Sequence, residues 1–90
     1  METYYKKRVE ELGGLTRKFS SPARRAVPDQ VTKLEGIEMF LVECKRPGEE
    51  PTKAQEKEHK RWRRLGVKVY VVDSKQAVDQ LLSEVVPCEG

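Results

Sequence analysis

Three residues near the middle of the chain carry the functional groups that metal-assisted hydrolysis needs. Asp29 follows Pro28, and Glu43 and Lys45 form a Glu-x-Lys triplet. Carboxylate oxygens bind Mg²⁺ or Mn²⁺ and leave coordination positions for water and phosphate, while a nearby amine stabilises developing negative charge. The triplet alone is better explained as an ordinary charge pair on a half-exposed strand. Pro28-Asp29 at the other end of a hairpin adds weight to the alternative hypothesis, a metal-dependent phosphodiesterase, and narrows the difference between the two interpretations.

A β-hairpin would bring these side chains together. If the hairpin turns at Gly36, Asp29 lies directly opposite Glu43, and opposed residues share a face with Cβ atoms about 4.5–5.5 Å apart. Alternation along the strand places Lys45 on the same face. Like charges in this position destabilise a sheet, and a divalent cation between them reverses the sign of that interaction. A turn shifted by one residue would instead put the two carboxylates on opposite faces.

The patterns around the hairpin predict an α/β domain. Apolar residues at helical spacing indicate a first helix that ends at Gly13-Gly14, and Thr52 is a suitable N-cap for a helix followed by Gly66. A helical crossover makes the strands before and after it parallel neighbours, whereas the earlier strands form antiparallel hairpins. The expected fold is one domain over residues 1–90, a mixed four-stranded sheet with helices on both faces. The predicted helices cover 2–12, 53–65 and 75–86, and the predicted strands cover 15–19, 29–34, 38–45 and 67–72.

Charge is unevenly distributed along the chain, which has a net charge of +3. The segment 12–28 contains Arg17, Lys18, Arg24 and Arg25 and no acid, and the segment 53–68 has seven basic residues against two acids. Two basic segments beside a mixed-charge centre suggest a surface for a polyanion such as DNA. Two solvated faces would explain the charge pattern equally well.

Several protein classes are disfavoured by the sequence. Cys44 and Cys88 are far apart and have neither metal-binding nor redox spacing. The polar N-terminus lacks the apolar region of a signal peptide, and no apolar stretch approaches the roughly 20 residues of a membrane span. We therefore expect a cytoplasmic protein with no membrane association.

The ordered set of motifs resembles the VRR-NUC family, the virus-type replication-repair nucleases of the PD-(D/E)XK superfamily, and in particular its standalone phage members. The resemblance covers roughly residues 2–82. It is carried by Pro28-Asp29, Glu43-Cys44-Lys45, Gln55 after a proline-containing turn, and Gly66-Val67 before an apolar strand. It implies a PD-(D/E)XK nuclease-like fold, a DNA endonuclease dependent on Mg²⁺ or Mn²⁺ and possible selectivity for branched DNA. It also implies a homodimer and a metal site that includes the backbone carbonyl of Cys44. A non-catalytic nucleic-acid-binding module on the same fold is the alternative.

The family also places a glutamate of the first helix in the active site. Glu2 is the preferred candidate because it shares the apolar stripe of that helix and lies at the matching distance from Gly13-Gly14, and Glu10 lies at the edge of the stripe. The resemblance places Gln55 beside Lys45. The same residue fits a capping box with Thr52, and both roles remain open.

Four further expectations concern basic and aromatic residues. Arg24 and Arg25 are predicted to contact DNA phosphates just before Asp29, with Arg17 and Lys18 extending that surface. Trp62 is predicted to pack in the core or in a dimer contact in preference to stacking on a base. Ala54, Trp62 and Leu65 are predicted to form a narrow stripe against the sheet. His59, the only histidine, is predicted to be a surface residue without a metal role.

Overall fold

The computed structural model describes residues 2–20 and 26–86, and its elements follow the predicted order. Each strand is one to three residues shorter than predicted, since its ends continue into turns. The helices are α1 (Glu2–Glu11), α2 (Lys53–Arg64) and α3 (Lys75–Val85), and the strands are β1 (Leu15–Lys18), β2 (Gln30–Lys33), β3 (Phe40–Cys44) and β4 (Val69–Val72). No helix among these residues is long and apolar enough to cross a membrane.

The four strands form one mixed sheet in the order β1-β2-β3-β4. β1 with β2 and β2 with β3 are antiparallel, whereas β3 and β4 are parallel, as the helical crossover through α2 requires. Val31 pairs with Leu41, and Gln30 pairs with Val42. The next step of this register sets Asp29 opposite Glu43, so the predicted hairpin register is confirmed.

The hydrophobic core lies between one face of the sheet and the helices α1 and α3. Phe40 and Val42 alternate inward from β3, and the side chain of Tyr5 is fully buried against this face. Its hydroxyl shares a hydrogen bond of 2.6 Å with Thr32 Oγ1. Burial of each large apolar side chain stabilises the fold by about 1.5–3 kcal/mol. The remaining core members are Val9, Leu34, Val72, Val78, Leu81 and Leu82.

The opposite face of the sheet is covered by α2, which buries polar residues in place of an apolar stripe. Glu58 and His59 are its buried members, and Trp62 packs its ring against Phe19 with centroids 6.1 Å apart. Packing of Trp62 is thus confirmed. The prediction that Ala54 and Leu65 lie against the sheet is wrong, since Ala54 is exposed and Leu65 is 81% exposed.

Local signals fix both ends of α2 and the end of α1. Thr52 and Gln55 form the predicted capping box, and Gly66 follows the helix with φ +95°, a conformation that favours glycine. After α1, Gly14 lies so close to β2 that a side chain there would collide with Leu34. The capping box and Gly66 set where α2 begins and ends between β3 and β4, and hence which of its residues face the sheet.

Candidate active site

The two predicted carboxylates meet at the end of β3. Glu43 is 4% exposed and lies on the sheet face covered by α2. Asp29 immediately precedes β2, where its two carboxylate oxygens accept from the backbone N–H of Cys44 at 3.1 and 3.3 Å. This bond ties the start of one strand to the end of its neighbour. It holds Asp29 beside Glu43, as the hairpin argument predicted.

The electrostatics of the pair are those of two acids that resist ionising together. Burial, and then the negative charge of Asp29, raise the pKa of Glu43 to about 7, with Lys45 opposing the shift. Burial also raises the pKa of Asp29, against the stabilising bond from Cys44. The negative charge of Glu2 contributes to both shifts. A cation beside the pair would relieve this repulsion and favour the ionised forms.

The donor set suits a hard divalent ion. Oε1 of Glu43 is buried and has no hydrogen-bond partner within the part of the chain that the structure describes. Within residues 2–20 and 26–86, no three acidic, histidine or cysteine side chains lie close enough to hold a metal together. The protein can therefore contribute two carboxylates, with other positions left to backbone carbonyl, water and phosphate. That is the arrangement Mg²⁺ adopts in many phosphoryl-transfer sites.

Lys45 and Glu2 border the pair from two elements. The side chain of Lys45 is half-buried on the face of Glu43, one alternation beyond it. Glu2, in the first turn of α1, is exposed and lines a shallow cleft together with Cys44 and Lys45. The structure thus brings the preferred helix glutamate to the same sheet end, whereas its part in metal binding stays a prediction.

Gln55 is engaged in the capping box in this structure. Its side-chain oxygen accepts from the backbone N–H of Thr52 at 2.9 Å, and its own N–H donates to Thr52 Oγ1 at 3.2 Å. The predicted capping role of Gln55 is therefore confirmed. Its predicted place beside Lys45 during the reaction remains a prediction.

The predicted DNA-binding residues are only partly within the described chain. Arg17 and Lys18 are exposed on β1, which forms one edge of the sheet. Arg17 pairs with Val31 and so points to the face that carries Asp29. Arg24 and Arg25 lie outside the described residues.

The structure adds one residue that the sequence analysis placed wrongly. His59 is buried, with its Nε2 atom 3.7 Å from Oε1 of Glu43. The prediction that His59 lies on the surface is wrong, because a helix that crosses over a sheet must bury one of its faces against that sheet. His59 lies one helical turn after the half-buried Gln55, and that spacing is the signal that could have identified the covered face.

Comparison with known proteins adds whole-length similarities. The protein described as "Putative nuclease p44" from Acyrthosiphon pisum secondary endosymbiont phage 1 is 42% identical over 87 residues, which cover 97% of this chain and 88% of that protein. A solved structure described as "VRR_NUC domain" superposes with a TM-score of 0.87 and 37% identity, covering 94% of this chain and 92% of that one. No protein-family profile matches the chain. Both similarities span the elements that position Asp29, Glu43 and Lys45.

Proposed function

Because the chain belongs to the VRR-NUC family of nucleases, with its PD-(D/E)XK-type fold, we propose that it is a divalent-metal-dependent DNA endonuclease. Asp29, Glu43 and Lys45 form its reaction centre. The observation that supports this most is the buried carboxylate pair, because burial raises the pKa of both groups and the charge of Asp29 raises that of Glu43 further. A cation beside the pair would favour the ionised forms of both carboxylates.

The residues of the site divide the chemistry among them. Asp29 and Glu43 would hold Mg²⁺ or Mn²⁺ together with the backbone carbonyl of Cys44, and Glu2 would have to move closer to the pair to become a further ligand. A bound ion would lower the pKa of a water at the site and neutralise charge on the phosphoryl oxygens. The Lys45 amine orients that water and stabilises the negative charge that develops on the phosphate. Gln55, when released from its capping bond, extends this polar set.

DNA is held by phosphate contacts beside the site. Arg17 and Lys18 on β1 lie on the strand that pairs with β2, and Arg24 and Arg25 precede Asp29 in the chain. Basic side chains at this position would fix the scissile strand without reading its sequence, because phosphate contacts carry no base information. We therefore expect selectivity for DNA structure, such as branches or junctions, in preference to sequence.

A cleavage panel tests this function. Purified protein is incubated with single-stranded, duplex, flap and four-way-junction DNA in Mg²⁺, in Mn²⁺ or with a chelator, and products are resolved on denaturing gels. We expect internal cuts with either metal, most on a branched substrate, and none with the chelator. Cleavage that survives the chelator would contradict metal dependence. DNA binding without cleavage on any substrate would identify a non-catalytic binding module.

A further inference from the structure

Two buried polar atoms face one another beneath the active site. Nε2 of His59 and Oε1 of Glu43 both lack a hydrogen bond to any of the described residues, and 3.7 Å separates them. Leaving such groups unpaired is costly, and nearly all buried polar atoms in folded proteins are satisfied. We infer that His59 is a positioning residue for Glu43, donating Nε2–H to Oε1 so that Oε2 is presented to the metal. The inference rests on the metal site proposed above.

The spacing of the two atoms favours direct contact over a bridging water. A nitrogen-to-oxygen hydrogen bond spans about 2.7–3.2 Å, so a small rotation of either side chain closes the contact. A water that bonded to both atoms at about 2.8 Å each would hold them about 4.5 Å apart, which is more than the separation present. A modest rotation of one side chain would therefore bring the two atoms within hydrogen-bonding distance.

The surroundings require a particular proton placement on the imidazole. Oε1 of an ionised Glu43 can only accept, so the proton of a neutral His59 must lie on Nε2. A neutral donor can orient the carboxylate without cancelling the charge that binds a metal.

The backbone of α2 is fixed firmly enough to make His59 a rigid support. The capping box closes its N-terminus, and near the other end Arg63 Nη2 donates to the carbonyl of Val69 on β4 at 2.7 Å. Between these points, Trp62 Nε1 donates to Glu58 Oε2 at 3.0 Å. Since the helix is held at both ends, the His59 ring stays at a fixed distance from Glu43. The ring can therefore constrain Oε1 of Glu43 before a metal binds.

The first test uses the wild-type protein without metal at pH 8, where Glu43 is largely ionised. Because the chain has one histidine, nitrogen-15 spectra of tag-free protein report His59 alone. We expect a protonated Nε2 and a bare Nδ1, and a shift of the Nε2–H resonance in Glu43→Gln. A proton on Nδ1, or a resonance that ignores the Glu43 substitution, would overturn the inference. This result does not depend on whether a His59 variant folds.

The second test measures Mn²⁺ affinity by calorimetric titration. His59→Leu removes the donor, whereas His59→Gln keeps an N–H donor at nearly the position of Nε2. We expect His59→Leu to weaken Mn²⁺ binding by about 10- to 100-fold, as loss of outer-sphere partners does elsewhere, and His59→Gln to restore most of it. Val78→Ala, which opens the buried core beside α3, is the control for destabilisation and should keep wild-type affinity.

The outcomes separate this inference from the proposed function. If His59→Leu binds Mn²⁺ as tightly as wild type, the positioning role is wrong and the metal site stands. If Val78→Ala weakens binding as much as His59→Leu does, the effect is one of stability and the role is also wrong. If wild type itself binds no Mn²⁺, the proposed metal site fails, and the role of His59 toward the metal fails with it.

Discussion

At the scale of single residues, the protonation of Glu43 links the site to the stability of the fold. Its pKa of about 7 lies above the ordinary value of 4.5, so the folded state resists ionising it. Stability from this group is fully present at low pH and is lost as pH rises from about 4.5 to about 7. Glutamine in its place has no charge to bury. The wild-type residue is therefore retained at a cost in stability, as expected of a functional carboxylate.

We predict that metal-free Glu43→Gln is more stable than wild type at pH 8, with an unfolding temperature higher by roughly 10 °C. At pH 4.5 the difference should shrink to a small part of that, because the wild-type carboxyl is then protonated in the folded state and ionised in only about half of the unfolded chains. Thermal unfolding by circular dichroism at both pH values measures this. A variant no more stable than wild type at pH 8 would show that Glu43 ionises without penalty.

Lys45 is predicted to act in catalysis more than in binding. Lys45→Ala should lower the cleavage rate by at least about 100-fold, as loss of one preorganised donor does in other sites. DNA affinity should fall little, since one amine is a small part of a phosphate footprint. Single-turnover cleavage and fluorescence anisotropy separate the two effects. Lys68→Ala, at the opposite end of the sheet, is the matched control, and equal losses in both variants would contradict the assignment.

At the scale of elements, the capping box of α2 allows the two roles of Gln55 to be distinguished. Thr52→Ala and Gln55→Ala each break the box and should each lower the free energy of unfolding by about 1 kcal/mol. If Gln55 acts beside Lys45 in the reaction, Gln55→Ala should cleave DNA more slowly than Thr52→Ala does. Urea unfolding and cleavage rates of the two variants test this. Equal cleavage by both would assign Gln55 to the cap alone.

The elements also show what the sequence could and could not predict. The hairpin register was accessible because Gly36 marks the turn and alternation then fixes every partner. The cap and stop of α2 follow from local chemistry at Thr52 and Gly66. The covered face of α2 was not accessible by apolar periodicity, because the residues that α2 buries, Glu58 and His59, are polar. Their burial depends on tertiary partners such as Glu43, and the spacing of one helical turn from Gln55 to His59 was the sequence signal for the covered face.

At the scale of the whole molecule, apolar surface remains exposed on the α2 side of the sheet. Leu15 and Val71 are 47% and 37% exposed, and alternation points both to this side, with Leu65 exposed on α2 itself. The last helix is not part of this surface, because Val78, Leu81 and Leu82 are buried in the core. A symmetric partner would therefore cover the α2 side and not α3.

We predict a homodimer on this basis. Small domains often complete their hydrophobic burial by oligomerising, and a twofold dimer would present two active sites to a branched substrate. Sedimentation equilibrium at micromolar concentration should give twice the chain mass of 10.4 kDa. Leu65→Glu should shift the equilibrium toward monomer. A wild-type monomer whose unfolding transition does not depend on concentration would exclude an obligate dimer.

The measurement that tests the central claim most directly is calorimetric titration of Mn²⁺ into wild type and Asp29→Asn at pH 8. Asp29→Asn keeps the shape of the side chain and an oxygen to accept from Cys44, and removes only the charge. Glu84→Gln, an exposed carboxylate on α3 beside the β2–β3 turn, controls for general loss of acid. We predict saturable binding in wild type and Glu84→Gln and its loss in Asp29→Asn. Equal binding by all three proteins would contradict a metal site at Asp29 and Glu43.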